Sequence, residues 1–208
     1  MELKTYVTGP IQVNTYVLKD EESKEAVLID VGGSFDEIKK ELDEQGYSVK
    51  YVLNTHGHFD HVLGELEIQQ NYPEIPIYIS KDDTSHFSRL EQELKMFGFN
   101  VSVQPLNPTE FIDESTQLSI GKYPIQIFST PGHSKGSLTY YVDNKLFTGD
   151  ALFYRSIGRT DFYDGDFEEL ITSIREKIFN LPDDTKVYPG HGPSTTILDE
   201  KKFNEYLK

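Results

Sequence analysis

The sequence has no cysteine among its 208 residues. Disulfide bonds, thiol nucleophiles and thiolate metal ligands are therefore excluded, and any bound metal must be held by nitrogen and oxygen atoms. The first residues also lack the charged-then-apolar pattern of a signal peptide, and no apolar run approaches the length that spans a bilayer. We therefore expect a cytoplasmic protein without a membrane partner.

Basic residues are scarce relative to acidic ones. Lys and Arg number 20 against 35 Asp and Glu, which gives a formal net charge of -15. This charge repels nucleic acid and anionic membrane surfaces, so neither is an expected partner. Hydrophobic residues make up 37% of the chain and aromatic residues 12%, which is typical of a globular protein. We interpret residues 1–208 as a single domain, and the composition leaves its oligomeric state open.

Strand-like and helix-like segments alternate along two similar halves of the chain. In the first half, Ser34 and Glu37 form the pattern of a capping box at the start of a helix, and another helix is predicted over 61–70. In the second half, consecutive strand-like runs precede a helix over 166–179, with Asp166 at its start. Because each half supplies several strands with helices, the sequence predicts an α/β (α+β) protein with two sheets packed face to face and helices outside.

The segment Thr55 to His61 reads Thr-His-Gly-His-Phe-Asp-His and directly follows a strand-like run. It places three imidazoles and one carboxylate within a few residues. Neutral imidazole and carboxylate are the usual ligands of zinc and iron, and a short loop at a strand end can turn alternate residues toward one point. Taken alone, the segment fits either a metal site or a solvated turn.

Three further residues of the same chemical kind follow other strand-like runs. His133 and His191 each come after Pro-Gly just beyond a strand, and Asp150 ends the segment Leu-Phe-Thr-Gly-Asp. Loops at the carboxyl ends of strands converge in layered α/β folds, so we expect these side chains to meet the Thr55 to His61 segment at one metal site. The remaining histidine, His86, lies near a predicted helix start among acidic residues and is interpreted as a surface or capping residue.

This combination of residues, spread over about residues 10–197, resembles the metallo-β-lactamase superfamily. The matching positions are His56, His58, Asp60, His61, His133 in Thr-Pro-Gly-His-Ser, Asp150 in Thr-Gly-Asp, and His191 in Tyr-Pro-Gly-His-Gly. The resemblance implies a four-layer αββα sandwich with a two-metal site at one edge. It also implies a division of the ligands, in which one metal is held by His56, His58 and His133, the other by Asp60, His61 and His191, and Asp150 bridges both. Asp30 matches a position that supports a ligand, and a turn residue at a strand end is the alternative.

The chemistry of such a site is hydrolytic. Two divalent ions that share a carboxylate can lower the pKa of a bridging water toward ~7, so that a hydroxide is available for direct attack on a carbonyl. We predict zinc, although iron and manganese suit the same nitrogen and oxygen ligands. Asp60 is also predicted to be the catalytic carboxylate. A thiolate, with a pKa of ~8.5, leaves without a strong general acid, so a thioester is a more suitable substrate than an amide.

Within the superfamily, the sequence is most similar to the glyoxalase II group, particularly its short bacterial members. Gly158-Arg159-Thr160-Asp161 and the segment around His191 carry this likeness. It implies hydrolysis of S-D-lactoylglutathione or a related small thioester. After the last ligand only residues 194–208 follow, where longer members have a basic helical domain that binds glutathione, so the thiol carrier is left open. Four residues near the ligands in sequence are candidate contacts for an anionic substrate: Lys135, Tyr154, Arg155 and Arg159.

Two alternatives are compatible with parts of this pattern. A mono-iron persulfide dioxygenase would use His56, His133 and Asp150, and that group shares a Gly-Arg-Thr-Asp-Phe segment. A non-catalytic metal-binding protein of the same fold is a lesser alternative, because no ligand is missing. β-Lactamase activity is not expected, since the chain has neither a cysteine ligand nor a signal peptide.

Overall fold

Two six-stranded sheets form the centre of the computed structural model, which describes residues 1–208. The first sheet has its strands in sequence order. It comprises β1 (Glu2–Thr8), β2 (Val13–Asp20), β3 (Glu25–Ile29), β4 (Ser48–Leu53), β5 (Ile77–Ile79) and β6 (Glu110–Phe111). β1 to β3 are antiparallel, whereas β3 to β6 run parallel to one another. The parallel strands therefore bring their carboxyl ends to one edge of the sheet.

The second sheet is built from the later part of the chain. It comprises β7 (Leu118–Ile120), β8 (Tyr123–Ser129), β9 (Leu138–Val142), β10 (Lys145–Gly149), β13 (Lys186–Pro189) and β14 (Thr195–Thr196). Two short strands, β11 (Leu152–Phe153) and β12 (Ser156–Ile157), form a separate hairpin. Within the second six-stranded sheet, β10 and β13 pair in parallel. The residues that follow these two strands therefore lie side by side.

Helices cover the outer faces of both sheets. They are α1 (Asp36–Glu44), α2 (Phe59–Val62), α3 (Glu65–Asn71), α4 (Thr84–Met96), α5 (Phe167–Ser173) and α6 (Ile197–Phe203). α1 and α3 lie on the first sheet, α2 and α4 pack together beside β5, and α5 and α6 lie on the second sheet. The predicted four-layer αββα sandwich is confirmed. None of the helices has both the length and the apolar character needed to cross a bilayer.

The core between the sheets follows from the alternation of side chains along each strand. In β2, Tyr16 and Leu18 join the apolar cluster between the two sheets, whereas Val17 packs on the outer side toward α1. Every residue of β2 is buried for this reason. In α1, Ile38 and Leu42 are one helical turn apart and complete the outer layer.

Two predicted helix features are wrong, for local steric and hydrogen-bonding reasons. The helix expected over 61–70 is divided into α2 and α3, because the Gly64 amide donates its hydrogen bond to the carbonyl oxygen of Val31 at 2.8 Å, where the chain passes so close to Gly33 that only glycine fits. The chain there has to turn around the 31–33 loop. The capping box of Ser34 and Glu37 does not form either, since the Glu67 carboxylate accepts the hydrogen bond from the Phe35 amide at 2.6 Å instead.

The predicted helix over 166–179 is present but changes its winding. The Asp166 carboxylate accepts a hydrogen bond from the Glu169 amide at 2.9 Å, so the predicted cap is confirmed. α5 then continues as a π-helical turn over Ile174–Ile178. This turn keeps Ile174 and Ile178 in the apolar layer between the helix and the second sheet.

Candidate metal centre

The seven predicted ligands all come together at one edge of the two sheets. His56 follows β4, and α2 begins at Phe59, so His58 is extended at the helix start while Asp60 and His61 lie on its first turn. The first sheet thus supplies four ligands. The second sheet supplies the other three from loops that follow its strands, namely His133 after β8, Asp150 after β10 and His191 after β13.

The ligand atoms form two groups, which we call the first triad (His56, His58, His133) and the second triad (Asp60, His61, His191). Within each triad one nitrogen or oxygen atom per residue lies within 4.8 Å of the others. In the first triad, His58 Nδ1 is 2.9 Å from His133 Nε2. In the second, Asp60 Oδ2 is 3.0 Å from His191 Nε2. This is the grouping that the family resemblance implies.

Asp150 lies between the two triads. Its Oδ1 atom is 3.3 Å from His61 Nε2 in the second triad. Its Oδ2 atom is 3.6 Å from His133 Nε2 in the first triad and 3.8 Å from His191 Nε2 in the second. One carboxylate therefore faces both groups, as a bridging ligand must.

The donor set fits divalent cations. His56 Nε2, His61 Nε2 and Asp150 Oδ1 are buried without a hydrogen-bond partner. Buried polar atoms are rarely left in this state, and three of them converging on one point indicate that a cation completes the site. All donors are imidazole nitrogen or carboxylate oxygen, which suits zinc, iron and manganese alike.

The two triads differ in their electrostatics. Burial and the neighbouring imidazoles hold the pKa of His56 and the pKa of His58 well below the ordinary value, so both rings are neutral and ready to bind a cation. Burial also opposes a charge on His61, but Asp60, Asp150 and Asp30 outweigh it and raise the pKa of His61 well above its ordinary value. The second triad therefore attracts positive charge, whether a proton or a metal ion.

Ligands on both sides are oriented from behind by hydrogen bonds. Asp30 Oδ2 is 2.9 Å from His61 Nδ1, and Asp30 Oδ1 accepts a hydrogen bond from the Thr55 amide at 2.7 Å. The contact between Asp30 and His61 Nδ1 turns His61 Nε2 toward the centre. Asp30 therefore has the supporting position that the resemblance implies. Similarly, His133 Nδ1 donates to the carbonyl oxygen of Arg159 at 2.7 Å, which leaves its Nε2 atom facing the centre.

Asp83 is a structural residue of the site that sequence reasoning missed. Its side chain is fully buried and accepts hydrogen bonds from the Gly57 amide at 2.8 Å, from Ser134 Oγ at 2.7 Å and from the Gly136 amide at 2.5 Å. It therefore joins the loop of His56 and His58 to the loop of His133. Its position shortly after β5 was the available signal, because the other site residues also follow strand ends.

Close approach of neighbouring atoms explains two glycines beside the ligands. A Cβ atom at Gly57 would lie 2.8 Å from the carbonyl oxygen of Asp83, so no larger residue fits between His56 and His58. A Cβ atom at Gly190 would lie 2.3 Å from Asp150 Oδ1 and 2.6 Å from His61 Cε1. The glycines in these motifs therefore let the chain pass against the ligands.

The prediction for His86 is wrong. It was interpreted as a surface or capping residue, but it is completely buried. Its Nδ1 atom is 2.6 Å from Glu93 Oε1 and its Nε2 atom is 3.0 Å from Asp164 Oδ2. Burial opposes its charge, but the hydrogen bonds with Asp164 and Glu93 outweigh burial and raise the pKa of His86 to about 9. Neither partner is adjacent in sequence, which is why the local pattern gave no sign of them.

A cavity of about 470 Å³ opens directly at the two triads. Its walls include ligands from both triads and Asp150. The other lining residues are mostly apolar and include Phe59, Phe97, Phe153 and Phe162, while Arg89 and Arg159 are the basic ones. Such an enclosure suits a small organic molecule with an apolar part.

Of the four predicted substrate contacts, only Arg159 lines this cavity. Its guanidinium group pairs with the Asp161 carboxylate at 2.9 and 2.8 Å. Lys135, Tyr154 and Arg155 lie outside the cavity walls. The chain turns away after β11, so that the Arg155 guanidinium packs on the ring of Phe203 at 4.2 Å, while Lys135 and Tyr154 are exposed.

Known proteins are similar in sequence to this chain along nearly its whole length. The 35% identical relatives include a probable metallo-hydrolase, YqgX, of Bacillus subtilis (strain 168), matched over 100% of this chain and 98% of its own length. They also include the hydroxyacylglutathione hydrolase GloC of Haemophilus influenzae (strain ATCC 51907 / DSM 11121 / KW20 / Rd), with the same identity and the same coverage.

Solved structures give the same result for the fold. The BLEG-1 B3 metallo-β-lactamase is 36% identical with a TM-score of 0.86, and 99% of each chain is covered. TTHA1623 in a di-iron-bound form is 30% identical with a TM-score of 0.85, covering 98% of this chain and 100% of that one. ETHE1 from Myxococcus xanthus is 29% identical with a TM-score of 0.78, covering 99% and 84%.

A family model described as the metallo-β-lactamase superfamily matches residues 8–191, which include every predicted ligand. Together with full-length relatives at 35% identity, this match agrees with the sandwich and its two triads. The chain belongs to the metallo-β-lactamase superfamily of metal-dependent hydrolases.

Proposed function

We propose that this protein is a thioester hydrolase of the glyoxalase II type, acting on S-D-lactoylglutathione or a related thiol ester, with two zinc ions as its cofactor. The observation that carries this proposal is the pair of triads that share Asp150 at the wall of an enclosed cavity. The full-length similarity to the hydroxyacylglutathione hydrolase GloC supports the choice of substrate.

The residues of the site have two roles: some would bind the cations, and others line the substrate cavity. The first triad would hold one cation, the second triad the other, and Asp150 would contact both. When bound, divalent cations supply Lewis acidity, which lowers the pKa of water and polarises a carbonyl group. The chain's own contribution is to fix the donor atoms beforehand, through Asp30 behind His61 and the Arg159 carbonyl behind His133.

Asp60 is the catalytic carboxylate of this proposal. It is 6% exposed and lines the cavity, so it can contact both the second cation and the incoming water. Its Oδ2 atom lies 3.0 Å from His191 Nε2, which fixes the direction of the carboxylate. A thiolate with a pKa of ~8.5 leaves without a strong general acid, so this proposal requires none from the cavity wall.

The cavity wall suits a thioester with an apolar part next to the reacting carbonyl. Phe59 and Phe162 line the cavity and would shield a bound substrate from water. Arg159 is the predicted contact for an anionic group of the substrate, and Asp161 holds its guanidinium in place rather than leaving it free. An acidic thiol carrier has to compete with Asp161 for this guanidinium, which limits the affinity that one charge can supply.

The test combines metal content with turnover. Purified protein should contain two metal ions per chain and hydrolyse S-D-lactoylglutathione. Asp150→Asn should lower hydrolysis by at least ~1,000-fold, because the amide cannot serve both cations as a carboxylate does. Lys135→Ala is the matched control outside the cavity and should behave as wild type. Full metal content and full turnover in the Asp150→Asn variant would refute the proposal.

A persulfide dioxygenase is the second candidate, because ETHE1 from Myxococcus xanthus is 29% identical over nearly the whole chain. That activity would use one iron at His56, His133 and Asp150 and would consume oxygen with a glutathione persulfide. One iron per chain with oxygen uptake and no thioester hydrolysis would replace the first proposal. Tight metal binding without turnover would indicate a non-catalytic protein.

Lactam hydrolysis belongs in the same set of assays. The 36% identity to the BLEG-1 B3 metallo-β-lactamase is the reason for including a lactam substrate. We expect thioester hydrolysis to exceed lactam hydrolysis, since a thiolate leaves more readily than an amine. A faster reaction with the lactam would reassign the substrate class while leaving the metal centre unchanged.

A further inference from the structure

His58 differs from the other imidazoles of the centre in how its ring is held. His61 and His133 contact Asp30 and the Arg159 carbonyl through their outer nitrogens, His56 contacts Thr55 Oγ1 at 3.1 Å, and His191 contacts the Gln12 carbonyl at 3.3 Å. The one side-chain hydrogen-bond contact of His58 is the 2.9 Å approach to His133 within the triad. Its outer side has no such partner, so its orientation depends on packing.

The packing on that outer side comes from His86 and Phe162. The ring centroids of His58 and His86 are 4.6 Å apart and the rings are nearly perpendicular, at 83°. The Phe162 ring lies 5.0 Å from His58 at 62°. In addition, one nitrogen of His58, one nitrogen of His86 and one oxygen of Asp164 lie within 4.8 Å of one another. His86 therefore occupies the place that a hydrogen-bond partner has at the other ligands.

His86 is itself held rigidly. Glu93 on α4 and Asp164 on the loop after β12 contact its two ring nitrogens at 2.6 and 3.0 Å. The Tyr163 hydroxyl lies 3.3 Å from Nε2 of His86, the nitrogen that also contacts Asp164. A buried ring fixed at both nitrogens cannot rotate without breaking one contact, so it is a firm support for its neighbour.

The same contacts attach the cavity wall to α4. Asp164 follows Arg159 and Phe162 in one loop, and Phe162 lies against both His58 and His133, with centroids 5.0 and 5.8 Å away. Anchoring of Asp164 by His86 therefore fixes the loop that both lines the cavity and packs on the first triad.

We propose that His86 is a positioning residue, which, together with Glu93 and Asp164, holds the ring of His58 and the 159–164 loop in the arrangement that the first triad needs to bind its cation. The proposal concerns the metal site and goes beyond the identity of the thioester. It is separate from the ligand role of the triads, because His86 contacts a ligand and does not join the donor set.

The experiment measures cation binding directly. Wild-type protein and His86→Gln are stripped of metal and reloaded with Co²⁺, and the absorption spectrum and the affinity of each site are compared by chelator competition. We expect His86→Gln to lower the Co²⁺ affinity of the first triad by about 10- to 100-fold and to change the Co²⁺ spectrum of that site. The other site should keep its affinity, because Asp30 still orients His61.

Two further variants and one control complete the test of His86. Asp164→Ala removes one of the two anchors of His86 and should shift affinity and spectrum in the same direction by a smaller factor, which carries the test if His86→Gln does not fold. Asp164→Asn retains a hydrogen-bonding group and should restore most of the affinity. Ser88→Ala is the matched control on α4, because its hydroxyl contacts only the Ser85 carbonyl.

The outcomes separate this inference from the proposed function. Unchanged Co²⁺ spectra and affinities in both His86→Gln and Asp164→Ala would overturn the positioning role, whatever the substrate. Absence of thioester hydrolysis by wild-type protein with both sites loaded would overturn the proposed function and leave the positioning role to be judged by the metal data alone.

Discussion

The two triads are close neighbours built in opposite ways. The first consists of three imidazoles, and the pKa values of His56 and His58 are held low by burial and by neighbouring imidazoles. The second contains the Asp60 carboxylate, and Asp30 stands behind it at 2.9 Å from His61. A neutral site and an anionic site thus share one carboxylate, Asp150. The difference teaches that the second triad should take up the first cation, because its carboxylates attract positive charge and, without metal, are compensated only by protonation of neighbouring imidazoles such as His61.

Removal of both cations is the strongest way to test this difference. Chelation should abolish turnover and lower the free energy of unfolding by about 4 kcal/mol for each site that was kept at ~1,000 times its dissociation constant for the metal. Thermal unfolding with and without chelator measures the change. Readdition of one equivalent of metal should recover most of the stability if the anionic triad fills first. An equal gain from the first and the second equivalent would contradict the proposed difference.

Asp83→Ala tests the support of the first triad. The variant leaves the amides of Gly57 and Gly136 and the hydroxyl of Ser134 buried without their acceptor, so we expect a loss of about 3 kcal/mol in the free energy of unfolding. Urea denaturation of metal-free protein measures it. The neighbouring Asp82→Ala is the matched control, because that side chain is exposed. Similar losses in both variants would exclude a specific role for Asp83.

Asp30→Asn tests the support of the second triad. The amide keeps the volume of the side chain but removes the charge beside His61 Nδ1, so metal affinity at the second site should fall about 10- to 100-fold. The first site should lose less affinity, because Asp30 reaches His56 only through the Thr55 hydroxyl. Chelator competition on each site measures the difference, and Asp43→Asn, an exposed change on α1, is the control. A loss confined to the first site would reverse the assignment of the two triads.

Glu65→Gln tests the ionisation of a buried carboxyl group through the pH dependence of the free energy of unfolding. Burial raises the pKa of Glu65 well above its ordinary value, against the effect of Asn54 and with a further contribution from Asp30. The folded protein therefore keeps this carboxyl protonated while the unfolded chain ionises above ~4.5, so wild type loses about 1.4 kcal/mol per pH unit from there up to the folded pKa. Because glutamine does not ionise, the variant should become more stable relative to wild type as pH rises across this window.

Urea denaturation of both proteins from pH 4 to pH 8 gives the comparison, and Glu74→Gln at an exposed position is the control. A difference between variant and wild type that stays constant with pH would mean that Glu65 is ionised in the folded protein.

The meeting of the seven candidate ligands at one edge of the sheets was predictable from sequence, because each lies in a segment that follows the end of a strand. His133, Asp150 and His191 each occupy a short loop after an apolar run, and β-strand ends at one edge determine where such loops meet. The sandwich was predictable for the related reason that each half of the chain repeats strands and helices.

The supporting residues were not predictable, because their partners are distant in sequence. His86 and Asp164 are separated by 78 positions, and neither lies in a pattern that indicates the other. The break between α2 and α3 likewise depends on the approach of Gly64 to the Gly33 carbonyl, a contact that only the folded chain creates. Helical periodicity over 61–70 is unaffected by that contact, so it suggested one helix.

Each triad draws its members from both sheets. In the first, His56 and His58 follow β4 of one sheet and His133 follows β8 of the other; in the second, His191 follows β13. A bound ion would thus tie remote parts of the polypeptide together and close long loops in the unfolding chain, as a disulfide does. In a sequence without cysteine, metal coordination would supply the long-range cross-links, so resistance to proteolysis and the rate of unfolding should follow metal supply.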